Sequence, residues 1–241
     1  MSKEQGVLYG IGVGPGDPDL MTIKAVNTIK EVDVVFTAAS TKNDFSLAVN
    51  IAEKFLSENS EVKTLYFPMT KDMDISDKAW QENTDEIAAE LKKGKSAAFL
   101  TLGDPMTYST FGYILKYMKR DYPENQVEII PGITSYQAAA ARTKTILVEG
   151  EESFLLTSGA FGGERIRGLK KIENVALLKA YKNVEDITLA LEENNMLKKS
   201  FGISKCGREG EEIIDDVREL SKRDPDYWTL ILAKQSNNGS L

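Results

Sequence analysis

The chain has 241 residues, 30 Lys plus Arg against 37 Asp plus Glu for a formal net charge of −7, no histidine and one cysteine. That balance disfavours sequence-independent contact with nucleic acid, and the lack of histidine removes Ser-His-Asp and Cys-His machinery and His-ligated zinc. Cys206 alone cannot form an internal disulfide or a cysteine-cluster metal site, so no protein-bound metal is expected.

The length fits one large or two small α/β domains, and the pattern along the chain indicates two. Hydrophobic residues make up 41 % and charged residues 28 %, and no apolar run approaches the roughly 18 residues of a membrane span. A soluble protein without a membrane partner is expected. The opening Met-Ser-Lys-Glu-Gln-Gly leads straight into a strand-like segment, which makes the cytoplasm the expected location.

In the first half short β-like runs alternate with helical patterns, as in a mostly parallel sheet covered by helices. Strands are predicted at 7–13, 34–38, 62–67, 97–102 and 127–130. Helices are predicted at 22–30, 46–56, 76–93 and 109–120, with another from about residue 134. After residue 143 the pattern changes to strand candidates at 153–157, 175–178, 201–204 and 227–233. Helices at 183–194 and near 217–222 lie between them. The expectation is therefore an N-terminal α/β domain over 1–146, a C-terminal α/β domain with a mixed sheet over 147–234, and a disordered polar tail over 235–241.

Gly10-Ile11-Gly12-Val13-Gly14-Pro15-Gly16-Asp17 places a glycine-rich turn after the first strand. It is not a dinucleotide fingerprint. From Gly10 the third glycine would fall on Pro15 and from Gly12 on Asp17, and the second strand ends without an acidic residue for a ribose. The turn either lets a large flat ligand approach bare backbone N–H groups or is a tight connection capped by Asp17 or Asp19. Two more strand-to-helix turns follow, Gly103-Asp104-Pro105-Met106-Thr107-Tyr108-Ser109 and Pro131-Gly132-Ile133-Thr134-Ser135. They lie where open α/β sheets bind ligands.

In this order the three segments resemble the signatures of the tetrapyrrole (corrin/porphyrin) methylase family, and the likeness covers nearly the whole chain. Thr107-Tyr108-Ser109-Thr110-Phe111-Gly112-Tyr113 and Ser135-Tyr136-Gln137-Ala138-Ala139-Ala140 look most like the branch acting on carbon-20 of precorrin-2 or cobalt-factor II. The resemblance implies a homodimer of two-domain chains that uses S-adenosylmethionine, releases S-adenosylhomocysteine and binds a tetrapyrrole in an adjoining trough. It would assign Pro15, Gly103, Asp104, Pro105, Tyr108, Thr134, Ser135, Ala180, Tyr181, Cys206 and Thr229 to the cofactor, and Gly14, Gly16 and Asp17 to the substrate. Where relatives acting on uroporphyrinogen-III carry an aspartate proposed as base, this chain has Ala38.

Methyl transfer from a sulfonium to an electron-rich carbon needs positioning more than acid-base chemistry, which suits a chain without histidine. Asp17, Asp104, Tyr108 or water would accept the proton released afterwards. Arg142, Lys144, Arg165 and Arg167 are candidate cations for the substrate carboxylates. Competing readings are a family member acting on another corrin carbon, on diphthamide or on ribosomal RNA, and a non-enzymatic nucleotide-binding α/β protein.

Overall fold

The structure, a computed structural model, describes residues 5–39, 46–168 and 171–236. The chain divides into two compact units, Met1–Thr134 and Ser135–Leu241. In the first, strands β1 (Leu8–Gly12), β2 (Val34–Ala39), β3 (Glu61–Tyr66), β4 (Ala97–Thr101) and β5 (Val127–Ile130) form a sheet of order β3-β2-β4-β1-β5 in which every pair is parallel. Parallel strands need crossover helices, which here are α1 (Ile23–Glu31), α2 (Leu47–Ala52), α3 (Met73–Lys92) and α4 (Phe111–Asp121).

The helices cover both faces, so the central strands are continuous apolar runs whose alternate residues serve different cores. Val34, Phe36, Ala97 and Phe99 pack with Ile87 and Leu91 of α3 and with Phe111 and Ile114 of α4. Val35, Ala98 and Leu100 pack with Ala25 and Ile29 of α1 and Ala48 and Ile51 of α2. Local signals set the helix ends. Thr22 Oγ1 accepts the Ala25 N–H at 3.2 Å to start α1. The expected start of α3 at 76 moves back to Met73 because Asp72 caps it, taking the N–H groups of Asp74 and Ile75. Gly94, at φ +83°, ends it.

The second unit holds α5 (Ser135–Thr143), β6 (Phe154–Ser158), β7 (Asn174–Leu178), α6 (Val184–Glu193), β8 (Ser200–Ser204), β9 (Glu212–Ile214) and β10 (Thr229–Lys234). Its sheet has the order β6-β7-β10-β8-β9, with β6 and β7 parallel and the remaining pairs antiparallel. The two-domain α/β architecture, parallel then mixed, is the expected one. The first unit ends at Thr134 rather than near residue 146, because α5 joins the second: Tyr136 packs on Phe154 with centroids 5.6 Å apart, and Lys234 Nζ donates to the Ile146 carbonyl at 3.1 Å. The segment near 217–222 is a 3-10 helix capped by Asp216. Gln235 and Ser236, the start of the expected loose tail, donate backbone N–H groups to Glu173 and Asn195. Residues 237–241 lie outside the described residues. Among the described residues no helix is long and apolar enough to cross a membrane.

Candidate functional site

The carboxyl ends of β4, β1 and β5 are neighbours, and the three glycine-containing turns meet there. Gly103 N–H donates to the Gly14 carbonyl at 2.7 Å, Gly14 N–H returns to the Gly103 carbonyl at 3.3 Å, and Val13 N–H reaches the Thr101 carbonyl at 3.0 Å. No side chain fits at Gly12 or Gly132. A Cβ on Gly12 would stand 2.4 Å from the Gly103 carbonyl oxygen, and one on Gly132 would stand 2.1 Å from the same oxygen. Gly14 and Gly103 have φ of +82° and +69°, the left-handed region in which glycine alone is unstrained. The sequence places all four in glycine-containing turns but gives a ligand role only to Gly14 and Gly103; the close approach of Gly12 and Gly132 follows from the sheet order.

Asp104 fastens this junction from the side. Its Oδ2 accepts the Gly132 N–H at 3.1 Å, and its Oδ1 accepts the Met106 N–H at 2.8 Å and the Thr107 hydroxyl at 3.4 Å. Pro105 is buried beside it. Thr101 and Ser109 hydroxyls meet at 2.8 Å, and Ser109 Oγ also accepts the Phe111 N–H at the head of α4. Between these fixed points Tyr108 adopts φ +50° and is 57 % exposed, a strained backbone at the surface. Thr134 is buried, its Cα 3.9 Å from where a Gly103 Cβ would lie.

On the β1 turn, Gly14 and Pro15 are buried and Gly16 and Asp17 half-buried. Asp17 caps the short 3-10 helix Pro18–Leu20, its Oδ1 accepting the Asp19 N–H at 2.9 Å. The aspartate cap of the tight-turn reading is therefore present at Asp17, while the Gly14 N–H is taken by the Gly103 carbonyl and Gly12 is buried against Gly103 and Gly132.

In the second unit, Ser135 opens α5. Ala180 and Thr229 are brought together across β7 and β10, the Ala180 N–H donating to the Thr229 carbonyl at 2.9 Å. The Thr229 and Ser204 hydroxyls pair at 2.7 Å in a buried position. Ala180, Tyr181, Ser204 and Thr229 line a cavity of about 510 Å³, with Tyr227 and Trp228 on its wall. Cys206 is buried but does not line it. Burial, followed by the nearby Glu211 carboxylate, pushes its thiol up to about 11, so it is inert at neutral pH.

The four expected substrate cations divide. Arg142 pairs with Glu211 at 2.9 Å and Arg167 with Asp186 at 2.6 Å, each bracing a loop. Glu211 also holds the Gly207 N–H, and Asp186 the Gly163 N–H. Arg165 is exposed, and Lys144, at φ +55°, ends α5. Among the described residues no group of three or more His, Cys, Asp or Glu side chains could hold a metal ion.

A parallel α/β unit with bare-backbone turns at its carboxyl edge, followed by a mixed-sheet unit with a cavity, is the architecture of a small-molecule enzyme of the α/β class. The model of the tetrapyrrole (corrin/porphyrin) methylases matches residues 7–221. The chain belongs to that family. It is 32 % identical over 232 residues to the cobalt-precorrin-2 C(20)-methyltransferase of Salmonella typhimurium, covering 95 % of this chain and 97 % of the relative. It is 27 % identical to the precorrin-2 C(20)-methyltransferase of a Sinorhizobium species, covering 94 % of each. The uroporphyrin-III C-methyltransferase of Thermus thermophilus, solved with S-adenosylhomocysteine, superposes with a TM-score of 0.68 at 20 % identity, over 95 % of this chain and 92 % of that one, a likeness of fold.

Proposed function

We propose that the chain transfers a methyl group from S-adenosylmethionine to carbon-20 of a reduced tetrapyrrole, precorrin-2 or cobalt-factor II, in cobalamin biosynthesis. The observation that carries this is the glycine seam of Gly12, Gly14, Gly103 and Gly132, bare backbone at the carboxyl edge of a sheet in a chain whose relatives bear that name.

The residues present fit the cofactor. Beside Gly103 the nearest heavy atoms to a would-be Cβ are 3.9 Å away, which leaves room against the backbone. Pro15, Gly103, Asp104, Pro105, Tyr108, Thr134 and Ser135 would hold its methionine and ribose parts. Ala180, Tyr181 and Thr229 would hold the adenine in the cavity, with Cys206 packed behind. Gly14, Gly16 and Asp17 would border the substrate.

When bound, S-adenosylmethionine supplies a methyl group on a positively charged sulfur. The chain's own work is to hold the electron-rich substrate carbon in line with that methyl, and well-oriented reactants can gain ~7–11 kcal/mol from such positioning. Asp104 serves this by locking two turns together, which occupies both of its oxygens. Asp17 has one oxygen on the Asp19 N–H, and a carboxylate offers about four acceptor sites, so Asp17 takes the proton released from the methylated carbon. Asp17→Asn keeps the cap and is expected to keep S-adenosylhomocysteine affinity while lowering turnover about 100-fold. Unchanged turnover would remove Asp17 from this role.

The enzyme works in the cytoplasm as a homodimer, a second copy covering exposed apolar side chains such as Ile23, Met69 and Phe161. Light scattering tests this and is expected to give twice the mass of one chain. The activity is tested by mass spectrometry of precorrin-2 and cobalt-factor II incubated with the protein and S-adenosylmethionine. One of them gains a single methyl group; failure of both to do so overturns the reading.

A further inference from the structure

One edge of the second unit carries three cations that stand on aromatic rings. Tyr181, Tyr227 and Trp228 form a continuous aromatic strip along the cavity, with ring centroids 5.5 Å apart for Tyr181 and Tyr227 and 5.1 Å for Tyr227 and Trp228. Each ring holds a cation: Lys182 Nζ lies 5.1 Å from Tyr181, Lys179 Nζ 5.3 Å from Tyr227, and the Arg208 guanidinium 4.5 Å from Trp228. Among the described residues none of the three forms an ion pair, whereas Lys205 pairs with Asp226 and Arg223 with Glu212 and Glu219 on the same cavity. Lys179 and Lys205 also sit at φ +57° and +51°, left-handed conformations of the kind retained at ligand clamps.

A half-buried guanidinium stacked on Trp228 without a counter-ion is costly unless something negative arrives. Burial draws the Arg208 pKa below its ordinary value, opposed by Asp226 from beyond ion-pair range. The aromatic faces fix the three charged groups and remove water from one side of each, which strengthens their attraction for an anion. A methylase of tetrapyrroles has two ligands with carboxylates. S-adenosylmethionine balances its one carboxylate with a sulfonium and an ammonium, so it offers three cations no surplus of negative charge. A reduced tetrapyrrole carries several carboxylates on a flat ring system and is strongly anionic.

We propose that Lys179, Lys182 and Arg208, held on Tyr227, Tyr181 and Trp228, form an anion-binding rim that takes carboxylate side chains of the tetrapyrrole substrate. This rests on the methyl-transfer reading above. It also supplies what Arg142 and Arg167, already paired, do not.

The test uses the full chain with both precorrin-2 and cobalt-factor II as the tetrapyrrole, and compares wild type with Lys179→Gln, Lys182→Gln, Arg208→Gln and the triple variant on whichever is methylated. Thermal melts confirm folding, and the half-buried Lys179 and exposed Lys182 keep the test sound if Arg208→Gln melts early. Loss of charge-assisted contacts is expected to raise KM for the tetrapyrrole about 10-fold in Arg208→Gln and about 100-fold in the triple variant. The value of kcat and the calorimetric Kd for S-adenosylhomocysteine are expected to stay within about twofold, since both depend on contacts these variants keep. A triple variant with wild-type KM overturns the rim. A Kd for S-adenosylhomocysteine that rises in step with KM also overturns it, because the anion is then the cofactor's carboxylate. A wild-type protein that neither binds nor methylates the tetrapyrrole removes the function and the rim with it, whereas an active wild type beside an indifferent triple variant removes the rim alone.

Discussion

The two units build their candidate sites from different materials. In the first, backbone does the work: glycines meet backbone to backbone at the ends of β1, β4 and β5, and the left-handed positions at the seam belong to Gly14 and Gly103. In the second, side chains do it, with an aromatic strip, buried hydroxyls and stacked cations, and Lys179 and Lys205 join Gly210 among the left-handed positions around the cavity. A backbone site responds to added atoms, most at Gly12 and Gly132 where backbone meets backbone. A side-chain site tolerates exchange of shape and responds to charge.

The sharpest way to break this contrast is Gly132→Ala. One methyl group would stand 2.1 Å from a carbonyl oxygen held by the sheet, and overpacking against backbone leaves nothing to yield. A loss of about 3 kcal/mol or more is expected in urea unfolding, with loss of S-adenosylhomocysteine binding. Wild-type stability would show that the seam is looser than described.

The opposite end of the same sheet provides a charge-based control within the first unit. Glu90 is buried at the end of α3, with Lys63 and Lys93 each at 2.8 Å and Lys95 at 3.2 Å. Hydrogen bonds from Lys63 and then Lys93 hold its carboxyl at about 2, against an ordinary 4.5. Because the folded value lies below the unfolded one, this stabilisation is fully present above pH 4.5 and is lost as pH falls toward 2. Glu90→Gln is expected to cost about 2 kcal/mol at neutral pH, a fall in Tm of roughly 4–8 °C. The difference from wild type should shrink through that acid window, and a constant difference would contradict the assignment.

A milder change sharpens the account at Gly103. Its φ of +69° makes any side chain strained, by about 1–2 kcal/mol, yet the space beside it is open. Gly103→Ala should therefore fold with a modest stability loss while S-adenosylhomocysteine affinity falls about 10-fold, the equivalent of ~1.4 kcal/mol, from a methyl group occupying ligand space. Equal affinity per folded molecule would make Gly103 a turn residue only. The smallest expected effect has the opposite sign. Lys144 ends α5 at φ +55°, with Thr145 N–H returning to the Ala140 carbonyl, so Lys144→Gly should stabilise by about 0.5–1 kcal/mol. A destabilised variant would mean that the lysine side chain has a role at that corner.

The same contrast explains what the sequence makes legible. Glycine and proline in strand-to-helix turns are visible because few other residues meet those backbone demands, so Gly14, Gly103 and the parallel sheet could be anticipated. The closeness of Gly12 and Gly132 could not, since it depends on β5 lying beside β1, a neighbour relation without a local signal. In the second unit Ala180 and Thr229 were anticipated only through family likeness. The strip of Tyr181, Tyr227 and Trp228 comes from segments far apart in sequence, and a lysine at positive φ looks in sequence like any surface lysine. β9, three residues long with Ile213 exposed, lies below the length at which alternation can be recognised.

The proposed reaction moves one methyl group to one carbon. Cobalt-factor II or precorrin-2 incubated with the protein and S-adenosylmethionine bearing a carbon-13 methyl should show a single enriched methyl resonance, correlated with carbon-20. Enrichment at any other carbon, or none with either substrate, would contradict the account.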